Sequence, residues 1–329
     1  MRRHVFRALA VAAMAAIASD GMAQNLAQNL AQNLAQDWPS RAVSIVNLFG
    51  AGGSGDFAAR AVAKALSDKL GQPFVGENRP GAGGAVGSAF VAKSKPDGYT
   101  LLLTATGPAV LNQLLFKSVP YDTDRDFVPV ILVGELPQVI VAGREFKTLK
   151  DLIEFGRANP GKLNIGHAGA GSTGHLAAAL LAARSGIQAT FVGYRSANAV
   201  VADVLSGQIQ AGVPIYVPSV NTVNALAVTS EQRVSFLPNI PTVREAGVEL
   251  VASTWLGLLA PAGTPEGIVA RINTTINEYI RSQEGIDTFA RANVRTLGGS
   301  AAHFAQTIRQ DRALWAPVIA KENIQLEPN

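Results

Sequence analysis

Cysteine is absent from this 329-residue chain, and histidine occurs only four times. Without cysteine there are no disulfides, thiolate metal sites or thiol nucleophiles, and an exported protein can fold without oxidation. The few histidines, His4, His167, His175 and His303, leave little for imidazole-based catalysis. Charge is also sparse at 16%, and no basic run lies beyond the extreme N-terminus, so nucleic acid is not an expected partner. No apolar run is long enough to cross a bilayer. What the chain does have is a 48% hydrophobic content and 32 glycines, enough for one large or two medium α/β domains.

The N-terminus reads as an address. Arg2, Arg3 and Arg7 precede an apolar run over 8–17, and small residues continue through Gly21 to Ala23. That is the layout of a secretory signal peptide over 1–23, cleaved near Ala23, which implies a periplasmic protein. Loss of Arg2, Arg3, Arg7 and Asp20 lowers the net charge from +4 to +2, so part of the basicity belongs to the leader. An AQNL repeat over 24–37 then reads as a flexible tether.

From there the chain alternates strands and helices, as a parallel sheet covered on both faces requires. Strands are predicted over 43–49, 72–75, 99–105, 163–166, 190–192, 225–229 and 256–260. Helices are predicted over 56–70, 175–184, 199–205, 266–281 and 301–322. Thr148 with Asp151 predicts a capped helix start, as does Thr264 before Pro265. Two apolar segments over 127–141, broken by Gly134-Glu135-Leu136-Pro137, read as a crossing between domains. The division predicted is a lobe of 38–140 plus 256–329, with a second lobe of 141–255 inserted.

Glycine clusters where strands run into helices. Such turns occur around residues 50–55, 81–84 and 167–174. Each of the first and third places free backbone N–H groups at the positive end of a helix dipole, a seat for an anion. Gly50, Gly52 and Gly55 also spell GxGxxG, with Glu77 after the next strand, and Gly169, Gly171 and Gly174 repeat the pattern before Arg195. A dinucleotide-binding oxidoreductase is therefore the alternative reading, although free nicotinamide cofactors are not expected outside the cytoplasm. A nucleophile elbow is incomplete at both serines, because Ala170 precedes Ser172 and Asp56 follows Ser54 at the glycine positions. His167 and His175 do not have a metal-ligand spacing, and His175 is expected to bond locally at its helix start. No enzyme activity, cofactor or metal is expected. A binding module remains, in which two lobes hold one carboxylate through N–H groups, with Ser54, Ser172 and Thr173 adding hydroxyls.

The motif series resembles the substrate-binding proteins of the tripartite tricarboxylate transporter family, also called the Bug family. It runs through 49–56, Glu77-Asn-Arg-Pro-Gly-Ala-Gly-Gly84, Lys95-Pro-Asp-Gly-Tyr-Thr-Leu102, Val119-Pro-Tyr-Asp122 and Asp126-Phe-Val-Pro-Val130. It continues with Asn159-Pro-Gly-Lys-Leu163, Gly169-x-Gly-Ser-x-x-His-Leu176, Leu237-Pro-Asn-Ile-Pro-Thr-Val243 and Ala260-Pro-Ala-Gly-Thr-Pro265. The resemblance implies a periplasmic-binding-protein type II fold, two α/β lobes closing on a central cleft about crossing strands. It further implies a monomer that takes a small carboxylate ligand, a di- or tricarboxylate or an aromatic acid, to a membrane permease or a sensor protein. Carried over by motif, the ligand-binding residues are Phe49, Ala51, Gly52, Gly53, Ser54 and Asp56 in the first lobe. In the second they are Gly169, Gly171, Ser172, Thr173 and His175, with Thr104, Thr106, Asn112, Tyr194 and Arg195 as walls. Gly50 stands where the family has proline, and Gly193-Tyr-Arg-Ser196 where it has Pro-Tyr-Lys-Gly. Val213-Pro214 replaces a common Phe-Asp pair, and the stretch before Ala225 is shortened, which argues against an amino-acid ligand. A ligand-free interaction protein on the same fold is the remaining alternative.

Overall fold

A computed structural model describes residues 37–326 of the chain; the expected leader, and all of the tether but Asp37, lie outside them. Strands β1 (Val43–Asn47), β2 (Phe74–Asn78), β3 (Thr100–Ala105) and β4 (Phe127–Pro137) come first. Next are β5 (Val139–Ala142), β6 (Leu163–His167), β7 (Ala189–Gly193), β8 (Ala211–Gly212) and β9 (Asn224–Val228), then β10 (Ser253–Pro261) and β11 (Arg295–Thr296). They form two sheets, ordered β11-β4-β10-β3-β1-β2 and β7-β6-β8-β5-β9. β1 pairs in parallel with β2 and β3, as does β6 with β7 and β8, while β10 is antiparallel to both β3 and β4. Both sheets are therefore mixed.

The helices are α1 (Ser54–Leu70), α2 (Ala85–Ala92), α3 (Asn112–Leu115), α4 (Thr123–Asp126), α5 (Leu149–Ala158) and α6 (Thr173–Ser185). α7 (Ala197–Ser206), α8 (Glu266–Arg281), α9 (Gln283–Arg291) and α10 (Ala301–Lys321) complete them. β1 is a run of β-branched residues because a parallel strand is covered on both faces. Ile45 and Val46 point to opposite sides and neither reaches solvent. α1 buries Ala58, Ala59, Val62, Ala65 and Leu66, spaced three and four apart on one face, and ends on left-handed Gly71. Phe57, whose spacing also fits this stripe, instead lies exposed. α5 opens with the predicted capping box between Thr148 and Asp151.

Three expectations are corrected. Gly134–Pro137 does not break the chain: β4 runs through it, paired with β10 to its end, and the crossing falls at Gln138. Gly134 is needed for packing, since a Cβ there would come within 2.7 Å of the Arg295 carbonyl. Thr264 does not cap α8, whose N-cap is Pro265; its hydroxyl donates to the Pro261 carbonyl instead. The C-terminal region also contains a helix that was not predicted, α9, with a strongly one-sided apolar pattern centred on fully buried Phe289.

One apolar cluster joins the two sheets. It runs from Val46 and Leu102 through Phe304 and Trp315 of α10 to Leu176 and Leu181 of α6 and Leu163 of β6. Separate clusters cover the far face of each sheet. The crossing segments are tied by polar bonds as well. Gln138 donates its N–H to Thr229 Oγ1 (3.0 Å) and its amide to Thr254 Oγ1 (3.1 Å). Thr106 Oγ1 accepts from the Trp255 N–H at 3.0 Å and donates to the Ser253 carbonyl.

Candidate functional site

In each sheet one parallel strand sends its next neighbour to one side and a later strand to the other. The orders β2-β1-β3 and β7-β6-β8 make β1 and β6 the reversal points. Loops leaving the carboxyl end of such a strand diverge and leave a crevice between them. The first and third glycine turns leave those two strands. Sequence spacing gave no access to this, because it depends on strand pairing far along the chain.

The turn after β1 is held from below by paired asparagines. Asn47 and Asn78 are neighbours across the β1–β2 register, and both side-chain amides donate to the Phe49 carbonyl, at 3.3 and 3.2 Å. Neither was picked out as a site residue; an amide ending an apolar buried strand was the available signal. Gly50, Ala51, Gly52 and Gly53 are exposed at the rim. Gly52, at φ +85°, directs its N–H to Asp56 Oδ2 at 3.0 Å, and Arg60 reaches the same oxygen at 3.1 Å. The Gly52 amide, then Arg60, hold the Asp56 carboxyl below its ordinary range, so this buried group is a permanent anion that braces the turn. Ser54 is not a cap: its hydroxyl donates to the Ala292 carbonyl at 3.1 Å. The N-cap is Gly53, which has no side chain to offer. The N–H groups of Ser54, Gly55 and Asp56 consequently have no acceptor among the described residues.

The turn after β6 is built differently. Ser172 caps α6, its Oγ accepting the His175 N–H at 3.2 Å. His175 Nδ1 accepts the Gly171 N–H at 3.1 Å, confirming the local bond expected of it. The Thr173 and Gly174 N–H groups remain without an acceptor among the described residues. His167 and His175 stack with ring centres 4.0 Å apart, a contact their spacing did not suggest. Burial drives both imidazoles below their ordinary pKa, His175 to about 4 with His167 adding to the shift. Both are therefore neutral near pH 7, and the positive potential at this turn comes from the helix N-terminus.

Packing links the turns. Asn112 is buried and donates to the Gly83 carbonyl at 3.0 Å, fixing the second glycine turn to α3. Three residues on, Leu115 lies against Gly171, where a Cβ would come within 2.6 Å of Leu115 Cδ1. Gly169 stands beside it at φ +109°. Thr104 Oγ1 is buried without a partner at the end of β3. Tyr194 bonds the His167 carbonyl through its N–H, and its hydroxyl donates to Asp203 at 2.7 Å, so the phenol braces α7. Arg195 is exposed at the carboxyl end of β7, with no acidic partner among the described residues. Glu77, the acid a dinucleotide ribose would need, is paired with Arg79 at 2.6 Å. No cluster that could hold a metal ion occurs among the described residues.

Residues 58–324 match the model of the tripartite tricarboxylate transporter family receptor. The chain belongs to that family. It is 34% identical to the protein BugT of Bordetella pertussis over 299 residues, covering 88% of this chain and 92% of BugT. Among solved structures, R. palustris Rpa4515 with adipate has 32% identity and a TM-score of 0.73, covering 88% of this chain and 99% of that one. MatC of Rhodopseudomonas palustris with bound malate has 29% identity and a TM-score of 0.68, covering 86% and 100%. The receptor accordingly has the type II-like fold of periplasmic solute-binding proteins. No helix among its described residues is long and apolar enough to cross a membrane.

Close to the crossing strands the receptor holds a partly buried acid. Asp311 of α10 accepts the Trp255 indole N–H at 2.6 Å. Burial raises its carboxyl to about 6, the indole bond opposes this and Glu135 adds to it. The folded value lies above the unfolded one, so as pH rises from about 4 to 6 the unfolded chain releases its proton first and stability falls. Asp311→Asn keeps an acceptor for Trp255 and removes that slope. Since solvent partly reaches the group, the variant is expected to be about 1–2 kcal/mol more stable than the parent at pH 7.5 and equal to it at pH 4. Urea melts at the two pH values check this; a parallel pH response in both proteins would contradict it.

Proposed function

We propose that the receptor captures a small carboxylate between the turns after β1 and β6 and delivers it to a tripartite tricarboxylate-type permease or to a sensor. The observation that carries this reading is the pair of helix N-termini at the two reversal points, with five N–H groups lacking acceptors among the described residues. Charge-assisted bonds contribute about 1.5–3 kcal/mol each, so four of them match the roughly 8 kcal/mol of a micromolar complex. No buried cation is needed, and the neutral histidines supply none. The ligands of Rpa4515 and MatC, adipate and malate, support a dicarboxylate in particular. Arg195 at the rim is suited to a second carboxylate, which it can grip with two parallel bonds. The reading takes the lobes as 38–140 plus 256–329 and 141–255, in a monomeric protein without enzyme activity that works in the periplasm after cleavage near Ala23.

Isothermal titration with adipate, malate, citrate and benzoate, and with NAD as the contrast, tests the proposal. At least one carboxylate is expected to bind with a Kd of about 10 µM or tighter, and NAD not at all. Silence from every carboxylate together with tight NAD binding would reverse the reading.

A further inference from the structure

The glycine turns after β1 and β6 repeat one another. Gly50-Ala-Gly-Gly-Ser-Gly-Asp56 and Gly169-Ala-Gly-Ser-Thr-Gly-His175 align without a gap and share four of their seven residues. They also fold alike. In each, the residue before the helix N-cap is a glycine at positive φ, +85° at Gly52 and +70° at Gly171. In each, the N–H of that glycine is taken by the side chain of the third helical residue, Asp56 Oδ2 at 3.0 Å and His175 Nδ1 at 3.1 Å. This is the logic of a capping box moved back by one residue.

Of the three differences between the repeats, only the last changes charge. Asp56 closes its turn with a buried carboxylate, whose partner Arg60 lies one helical turn further on and mostly in solvent. His175 closes its turn with no charge. Its Nδ1 accepts a hydrogen bond and so bears no proton, which leaves a neutral ring. His167, stacked on it at 4.0 Å, donates its own Nδ1–H to the Gly169 carbonyl, so a proton gained by either ring would face the other. Among the described residues His167 is the one titratable group whose charge bears on His175, and burial with His167 keeps that ring neutral down to about pH 4. An acid is the residue this helix position ordinarily favours, for its bond to the turn and for its charge at the helix N-terminus. Beside a seat for an anion, that charge would repel the ligand.

Resting on the carboxylate reading above, we infer that His175 is a positioning residue that sets the charge preference of the second turn. Its imidazole ties that turn down as Asp56 ties down the first, while keeping negative charge away from the Thr173 and Gly174 amides. The clamp therefore pairs one charged and one uncharged version of the same turn, and the uncharged one attracts an anion more strongly. Isothermal titration of His175→Asn and His175→Asp with adipate and with malate tests this. Both side chains offer the Gly171 N–H an oxygen close to the place of Nδ1, so they differ in charge rather than shape. His175→Asp is expected to bind at least about tenfold more weakly than His175→Asn. It should melt no lower, because an acid suits a helix N-terminus, so the lost affinity is not lost fold. Imidazole ¹⁵N shifts of the parent at pH 7 give a check without ligand: His175 should show a bare Nδ1 and a protonated Nε2. Equal affinities of the two variants in a receptor whose parent binds, a loss that follows a lower melting temperature, or a protonated His175 Nδ1 would overturn this assignment alone. A parent that binds neither probe would overturn it together with the carboxylate reading.

Discussion

Gly174→Val is expected to destabilise the receptor by roughly 3 kcal/mol or more and to remove carboxylate binding with it. Gly174 is the second residue of α6, and an ideal Cβ there would sit 2.3 Å from the Val213 carbonyl oxygen and 3.2 Å from Gln138 Oε1. Neither neighbour yields easily. Val213 follows β8 directly and bonds back to Gly166 of β6 through its N–H, while Gln138 is the crossing residue between the sheets. The helix must therefore move off the sheet, which is overpacking against backbone and lies at or beyond the usual 1–3 kcal/mol for such changes. For a chain of this size that corresponds to a fall in melting temperature of about 6–12 °C. The displaced segment carries the Thr173 and Gly174 N–H groups, so affinity falls even below the melting point. A thermal melt and a titration on the same sample check both parts. A variant that melts with the parent would show that the α6 N-terminus has slack the geometry does not allow.

Gly52→Val is expected to cost at least about 100-fold in affinity, equivalent to roughly 2.7 kcal/mol, while the fold persists. Here there is room: nothing lies within 4 Å of an added Cβ. The conflict is in the backbone, because φ is +85° and a β-branched residue avoids that region strongly. The turn relieves the conflict by swinging to negative φ, which breaks the Gly52 N–H bond to Asp56, the strongest of the contacts that hold that buried carboxylate. The Ser54 and Gly55 amides then lose their aim. Because the residue is exposed and outside every core cluster, the circular-dichroism spectrum should be that of the parent. Unchanged affinity would take this turn out of the site.

Local chemistry was what the sequence conveyed well. β1 was legible from its β-branched run, α5 from Thr148 and Asp151, and the anion-seat character of the turns from glycine placed between strand and helix. Pairing was not legible. That β1 and β6 are reversal strands follows from contacts dozens of residues apart, which periodicity does not encode. The same limit explains Gly134, which looks like a break and is in fact where β4 pairs with the edge strand β11. Ser54 shows a different limit. A serine at the head of a helix often caps it, but here the N-cap is Gly53, Ser54 is the first helical residue, and a distant carbonyl at Ala292 takes its hydroxyl. That absence of a self-made cap leaves the first turn of α1 open, whereas α6, capped by Ser172, keeps only two free amides.

Backbone amide shifts in a ¹⁵N–¹H correlation spectrum, recorded as adipate is added to the parent, test the central claim most directly. Hydrogen bonding to a carboxylate moves amide protons downfield, so the Ser54, Gly55, Thr173 and Gly174 resonances should shift furthest and saturate together. If adipate binds and those four amides stay in place while others move, the carboxylate is held elsewhere and the two-turn clamp is wrong.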